Sequence, residues 1–185
     1  WVTLATGASQ PGTSSWLASI AQGGPVLVVL PASREGVQET LDRWKAAAVQ
    51  VGWTLAVWRG NVACSDATVS AVEQALGPLR REARADHQSV YLVGEGASGS
   101  AVFYLASRRP DLWAAAAAVG GSPRLAIETN RLFAANTTLV PVLWLPRQGD
   151  PLAEPLANRL REAGYHLAQP PKEQMTLADL LAWLG

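Results

Sequence analysis

From Pro25 onward the chain alternates between two hydrophobic patterns. Pro25–Leu30 (PVLVVL) is a continuous apolar run of strand length, the pattern of a strand buried on both faces. Val37, Leu41, Trp44, Ala48 and Val51 then recur at helical spacing. Ser33 is placed to cap that helix and Gly52 to end it. Trp53–Trp58 predicts a second strand. Ser65 or Asp66 caps a helix whose core side carries Val69, Val72, Leu76 and Leu79, with a break expected at Gly77-Pro78. Ser89–Val93 predicts a third strand, which runs into a glycine-rich turn and a helix to about Arg108. Trp113–Val119 reads as a fourth strand, Arg124–Ala135 as partly helical, and Val140–Leu145 as a fifth strand. Leu152, Leu156, Leu160 and Ala163 line a further helix, and Tyr165–Ala168 reads as a sixth strand. Thr176 and Asp179 open the last helix, Leu177–Leu184, as a capping box would.

Strands that alternate with helices through short connections predict an α/β fold: a mostly parallel sheet with helices on both faces. In such sheets ligands bind beyond the carboxyl ends of the strands. That directs attention to Pro31–Arg34, Arg59–Asn61, Glu95–Ser98, Gly120–Pro123, Pro146–Asp150 and Gln169–Lys172. Before Pro25 the pattern weakens. Val2, Leu4 and Thr6 alternate with Thr3 and Ala5, which predicts a short edge strand, and Gly7–Ser15 reads as loop. Residues 1–24 are therefore read as an edge-strand and loop segment, and 25–185 as one domain.

Composition adds limits. The chain has 185 residues, 49% hydrophobic and 16% charged, enough to bury the core of one domain. Fifteen basic residues balance fifteen acidic ones, so charge gives no reason to expect nucleic acid or a membrane surface as partner. A single Cys excludes an internal disulfide. One Cys with two His cannot build a Cys/His zinc site, and no metal or cofactor is expected. The one Met is Met175, so the chain is expected to be a piece of a longer polypeptide.

The candidate chemistry centres on Gly94-Glu95-Gly96-Ala97-Ser98-Gly99. Gly94, Gly96 and Gly99 match the dinucleotide pattern G-x-G-x-x-G between a strand and a helix. That pattern also requires an acidic residue about 20 positions on to hold the ribose. Here that stretch reads Val119-Gly120-Gly121-Ser122. The other reading is a nucleophile elbow, G-x-S-x-G, in the same strand-turn-helix setting.

Val90–Gly99, the helix after it, and Arg109-Pro110-Asp111-Leu112-Trp113 resemble the α/β-hydrolase family, in particular its esterase and polyhydroxybutyrate-depolymerase-like branches. The resemblance spans roughly Pro25 to Leu184 and takes in Asp150-Pro151, which looks like the family's acid segment. It implies a three-layer sandwich and, in an intact member, a Ser-His-acid triad. The departures fall on that triad. In the family's register the nucleophile position is Gly96, and Ser98 stands two residues later. The loop expected to carry the base, Gln169–Thr176, contains no His. His166 lies near the start of its strand. His87 precedes the third strand by a stretch that places it over about 20 Å from the turn at ~3.3 Å per residue. Asp150 then has no imidazole to orient and reads equally as a turn or capping residue.

Three functions remain open on the sequence. The first is a hydrolase-like scaffold without a triad, acting as a binding or interaction module within a larger protein, its partner a small anionic ligand or another protein. The second is a serine hydrolase that uses Ser98 with an unrecognised base. The third is anion or nucleotide binding at the Gly94–Gly99 turn. There Ala32, Ser33 and Arg34 are expected beside Glu95, Gly96, Ala97 and Ser98, and the main-chain N–H groups of that loop, with that of Ala97, are expected to form an oxyanion-hole-like pair.

Overall fold

The computed structural model describes residues 2–4, 15–33, 36–86, 88–136, 138–168, 170 and 175–185. Its centre is an eight-stranded sheet formed by β1 (Val2–Leu4), β2 (Trp16–Ile20), β3 (Val26–Leu30), β4 (Thr54–Trp58), β5 (Val90–Glu95), β6 (Ala115–Val119), β7 (Val142–Leu145) and β8 (Leu167–Ala168). Their order is β1-β2-β4-β3-β5-β6-β7-β8. β1 and β2 run antiparallel to each other, β2 runs antiparallel to β4, and all other neighbours are parallel. The register sets Ala56, Val28, Leu92, Ala116 and Val142 in one row across the parallel part.

The continuous apolar strands follow from burial on both faces. Val26, Val28 and Leu30 point into the core under α2 (Asp66–Ala83), α3 (Gly99–Arg108) and α5 (Ala153–Glu162). Leu27 and Val29 point into a second core, with α1 (Val37–Gln50) and α6 (Leu177–Leu184). A short helix, α4 (Arg124–Glu128), lies between β6 and β7. The sandwich expected from the sequence is therefore present, with its strands starting one or two residues later than expected and β5 running two residues further, to Glu95. Among the described residues no helix is long and apolar enough to cross a membrane.

Four local readings change. Trp16–Ile20 is a full strand between β1 and β4, although only a loop and an edge strand were legible before Pro25. Helix α2 runs unbroken through Pro78, because Val72, Leu76, Leu79 and Ala83 hold one buried stripe across it. Ser65, not Asp66, caps that helix, its side chain accepting from the Thr68 N–H. Ser33 does not cap α1: Gly36 occupies the cap position, and the Ser33 carbonyl accepts the Gly36 N–H in the preceding turn. The box at the start of α6 forms as expected between Thr176 and Asp179.

Candidate functional site

The turn after β5 is shaped by glycines packed against backbone. A methyl on Gly94 would lie 2.6 Å from the Ser98 carbonyl oxygen and from Val102. A methyl on Gly121, just beyond β6, would lie 2.4 Å from the Gly99 carbonyl carbon. Real carbon atoms do not approach so closely, so Gly94, Gly99 and Gly121 let α3 pack directly on the ends of β5 and β6. This accounts for two of the three glycines of the G-x-G-x-x-G pattern without any ligand.

Gly96 differs. Its φ is +52°, the left-handed region that disfavours side chains. It sits between Gly120, whose φ is +72°, and Ala32 in the loop after β3. A β-carbon on Gly96 would lie 2.9 Å from the Ala32 methyl. A side chain at position 96 would thus require Ala32 to give way.

Ser98 lies in a single 3-10 turn, Gly96–Ser98, that leads into α3. It is buried, 7% exposed, and its hydroxyl donates to the Pro31 carbonyl at 2.6 Å. That bond pins the loop after β3 over the turn and commits the serine proton to a backbone acceptor. Among the described residues no imidazole stands near. His166 is exposed, just before β8, and its carbonyl accepts the Val142 N–H at the start of β7. The register puts it about five residues down the strands and three strands across from Gly96, more than about 20 Å away. His87, Arg34, Gln169 and Lys172 lie outside the described residues.

Asp150 forms the turn into α5. Its carboxylate accepts from the Leu152 N–H at 3.0 Å and its carbonyl from the Ala153 N–H. Glu95 faces away from the turn. One carboxylate oxygen accepts from the Trp44 indole N–H at 2.9 Å and the other pairs with Arg43, both on α1. Of the candidate residues, Ala32, Ser33, Ala97 and Ser98 do come together. With Pro31, Gly60, Asn61 and Val62 they line a cleft of about 260 Å³ beyond β3, β4 and β5. Among the described residues no ionisable side chain lines it. Cys64, nearby in the chain, donates weakly to the Ser100 carbonyl at 3.8 Å. Burial pushes its thiol pKa up, against a smaller downward pull from Arg131, so the thiolate is disfavoured. Among the described residues no cluster of His, Cys, Asp and Glu suits a metal ion.

Sequence reasoning located Gly96 and Ser98 but missed the role of Ala32. Nothing in a sequence reports how closely two loops approach across a sheet.

Comparison with known proteins places the fold. No family model matches the sequence, and no curated protein aligns with it significantly. Solved structures do match. Esterase PE8 superposes with a TM-score of 0.61 at 14% identity, over 92% of this chain and 97% of that one. A carboxylesterase from Mesorhizobium loti gives 0.62 at 16%, over 89% and 90%. The poly(3-hydroxybutyrate) depolymerase LpqC from Bordetella parapertussis gives 0.57 at 18%, over 82% and 73%. The chain has the α/β-hydrolase fold, and the structures it is similar to include the esterase and depolymerase branches that the turn and the Arg109–Trp113 segment resemble.

Proposed function

We propose that this domain is an α/β-hydrolase-fold module without hydrolase chemistry, and that it works as a binding or interaction unit within a larger polypeptide. One observation carries the reading. The position after β5 that would present a nucleophile is Gly96, and a side chain there would start only 2.9 Å from the Ala32 methyl. A strained elbow exists to aim one reactive atom. Here there is no atom to aim, and the neighbouring loop has closed on the gap. Ser98, the hydroxyl of the turn, donates to a backbone carbonyl, and with no base within hydrogen-bond reach among the described residues it is a poor nucleophile.

The test is covalent labelling of the intact chain with a fluorophosphonate probe, read by mass spectrometry, beside hydrolysis of short-chain nitrophenyl esters. No stoichiometric adduct is expected, and no hydrolysis above buffer. Stoichiometric labelling of Ser98 that disappears in Ser98→Ala would overturn the proposal in favour of an active serine hydrolase.

The same cleft favours a second, compatible reading, the binding of a small oxyanion. Ala32, Ser33, Ala97 and Ser98 converge there at the start of a helical turn, where main-chain N–H groups lack intrahelical acceptors. Calorimetric titration with phosphate and acetate checks it: saturable heat supports the site, and none at millimolar anion removes it.

A further inference from the structure

A larger cleft lies at the β8 edge of the sheet, against different residues. Its volume is about 500 Å³, within the range of small-molecule sites. Its floor and walls are Trp144 and Pro146 of the β7 end, Leu167, Ala168 and Pro170, and one face of α5. The sequence explains why the space is open. α5 buries Leu156 and Leu160 against the core but turns the small Ala153 and Ala157 toward β8, which has only two residues. Trp144 is 4% exposed and its indole N–H is already donated to the Gly121 carbonyl at 2.8 Å, so its ring offers the cleft apolar surface alone.

Polar groups stand along the rim of α5. Glu154, Asn158 and Arg161 share one side of the helix, and Glu154 and Arg161 lie about 10 Å apart along its axis at ~1.5 Å per residue. Among the described residues the Arg161 guanidinium donates to the Asn158 side-chain oxygen at 3.0 Å through one of its nitrogens, and a guanidinium carries five donors. No ion pair engages Glu154 among the described residues. The cleft therefore offers a cationic fork at one end, an acceptor at the other, and an apolar trough between.

We propose that this cleft is a binding site for a small bipolar organic acid. Its carboxylate pairs with Arg161, its hydrocarbon body lies along Ala157, Leu167 and Trp144, and a hydrogen-bond donor at its far end meets Glu154. The site is independent of the turn after β5, and the failure of either reading leaves the other standing.

The probes are ω-aminooctanoate, octanoate and octylamine, titrated into the intact chain and followed by saturation-transfer NMR. ω-Aminooctanoate is expected to bind most tightly. Arg161→Gln should weaken both carboxylates at least about tenfold and leave octylamine unchanged, the loss typical of one charge-assisted contact. Glu154→Gln should weaken ω-aminooctanoate and leave octanoate unchanged. Ala157→Phe, which fills the trough, should abolish binding of all three while the circular dichroism spectrum stays that of the parent. The proposal is overturned if none of the probes binds at millimolar concentration, if octylamine binds best, or if a folded Ala157→Phe binds as the parent does. Should Ala157→Phe fail to fold, the two rim variants decide alone: equal affinities in Arg161→Gln and the parent would sink the site.

Discussion

The two ends of α3 carry the two halves of one resemblance, and they have fared differently. At the carboxyl end, the Arg109–Trp113 segment is held by ion pairs and burial. The Arg109 guanidinium bonds both oxygens of Asp111, at 2.9 and 2.7 Å, and also pairs with Glu73 on α2. Pro110 opens a short 3-10 turn, and Leu112 and Trp113 are buried. At the amino end, Gly94, Gly99 and Gly121 keep the close helix-to-strand packing, yet Gly96 offers no side chain. Parts of a motif that hold the scaffold together are thus intact at both ends, whereas position 96 between them carries no side chain. A fold and an activity written in the same short segment rest on different residues, and one can be present without the other.

The sharpest way to break this comparison is at the packing glycines. Gly121→Ala sets a methyl within 2.5 Å of three backbone atoms of Gly99 and Ser100, and backbone cannot swing aside as a side chain can. A loss of about 3 kcal/mol is expected, the upper range of overpacking, which corresponds to a fall in Tm of about 10 °C for a chain of this size. Chemical and thermal denaturation measure it. A neutral outcome would mean that the glycine seam does not hold α3 in place.

How much of this was legible beforehand follows from the same physics. Strands β3 to β7 read clearly because both their faces are buried and their residues are almost all apolar. β2 did not, because Ser19 stands buried in its middle and interrupts the apolar run. Pro78 was read as a break because local rules weigh the lost N–H, while the buried stripe of α2 outweighs it. At the site, the identities of Gly96 and Ser98 were legible, but their partners were not. Glu95 was assigned to the ligand side, yet Trp44 and Arg43, 51 and 52 residues earlier in the chain, turn it toward α1. Ala32 was placed beside the turn, but its approach to Gly96 was not legible, since that is a distance and not a residue type.

A smaller effect is expected at the turn itself. Gly96→Ser must accept φ +52° and a contact 2.9 Å from Ala32. Together these cost about 2 kcal/mol. If the Ala32 methyl is the obstacle, Ala32→Gly should restore part of that loss, giving a coupling of about 1 kcal/mol in a double-mutant cycle. Additive effects would show that backbone strain alone disfavours a side chain at position 96, and would remove the second half of the case for a closed elbow.

The smallest effect separates the intact end from ordinary surface charge. The Arg109 guanidinium, through its hydrogen bonds, holds the Asp111 carboxyl below the usual carboxylate range. A depressed pKa contributes stability that is fully present above the unfolded value, near ~3.9, and is lost as pH falls through the folded value. Asp111 is 60% exposed, so solvent screening limits the contribution to about 0.5 kcal/mol. Arg109→Gln should therefore lower the urea midpoint slightly at neutral pH and have less effect once the carboxyl is protonated at acid pH. If the difference between parent and variant instead stays constant from pH 7 to the acid limit, as a purely packing role for Arg109 would give, the ion pair adds nothing beyond the fit of its side chain. The carboxyl end of α3 would then resemble the amino end more closely than the geometry suggests, with its packing kept and its charges idle.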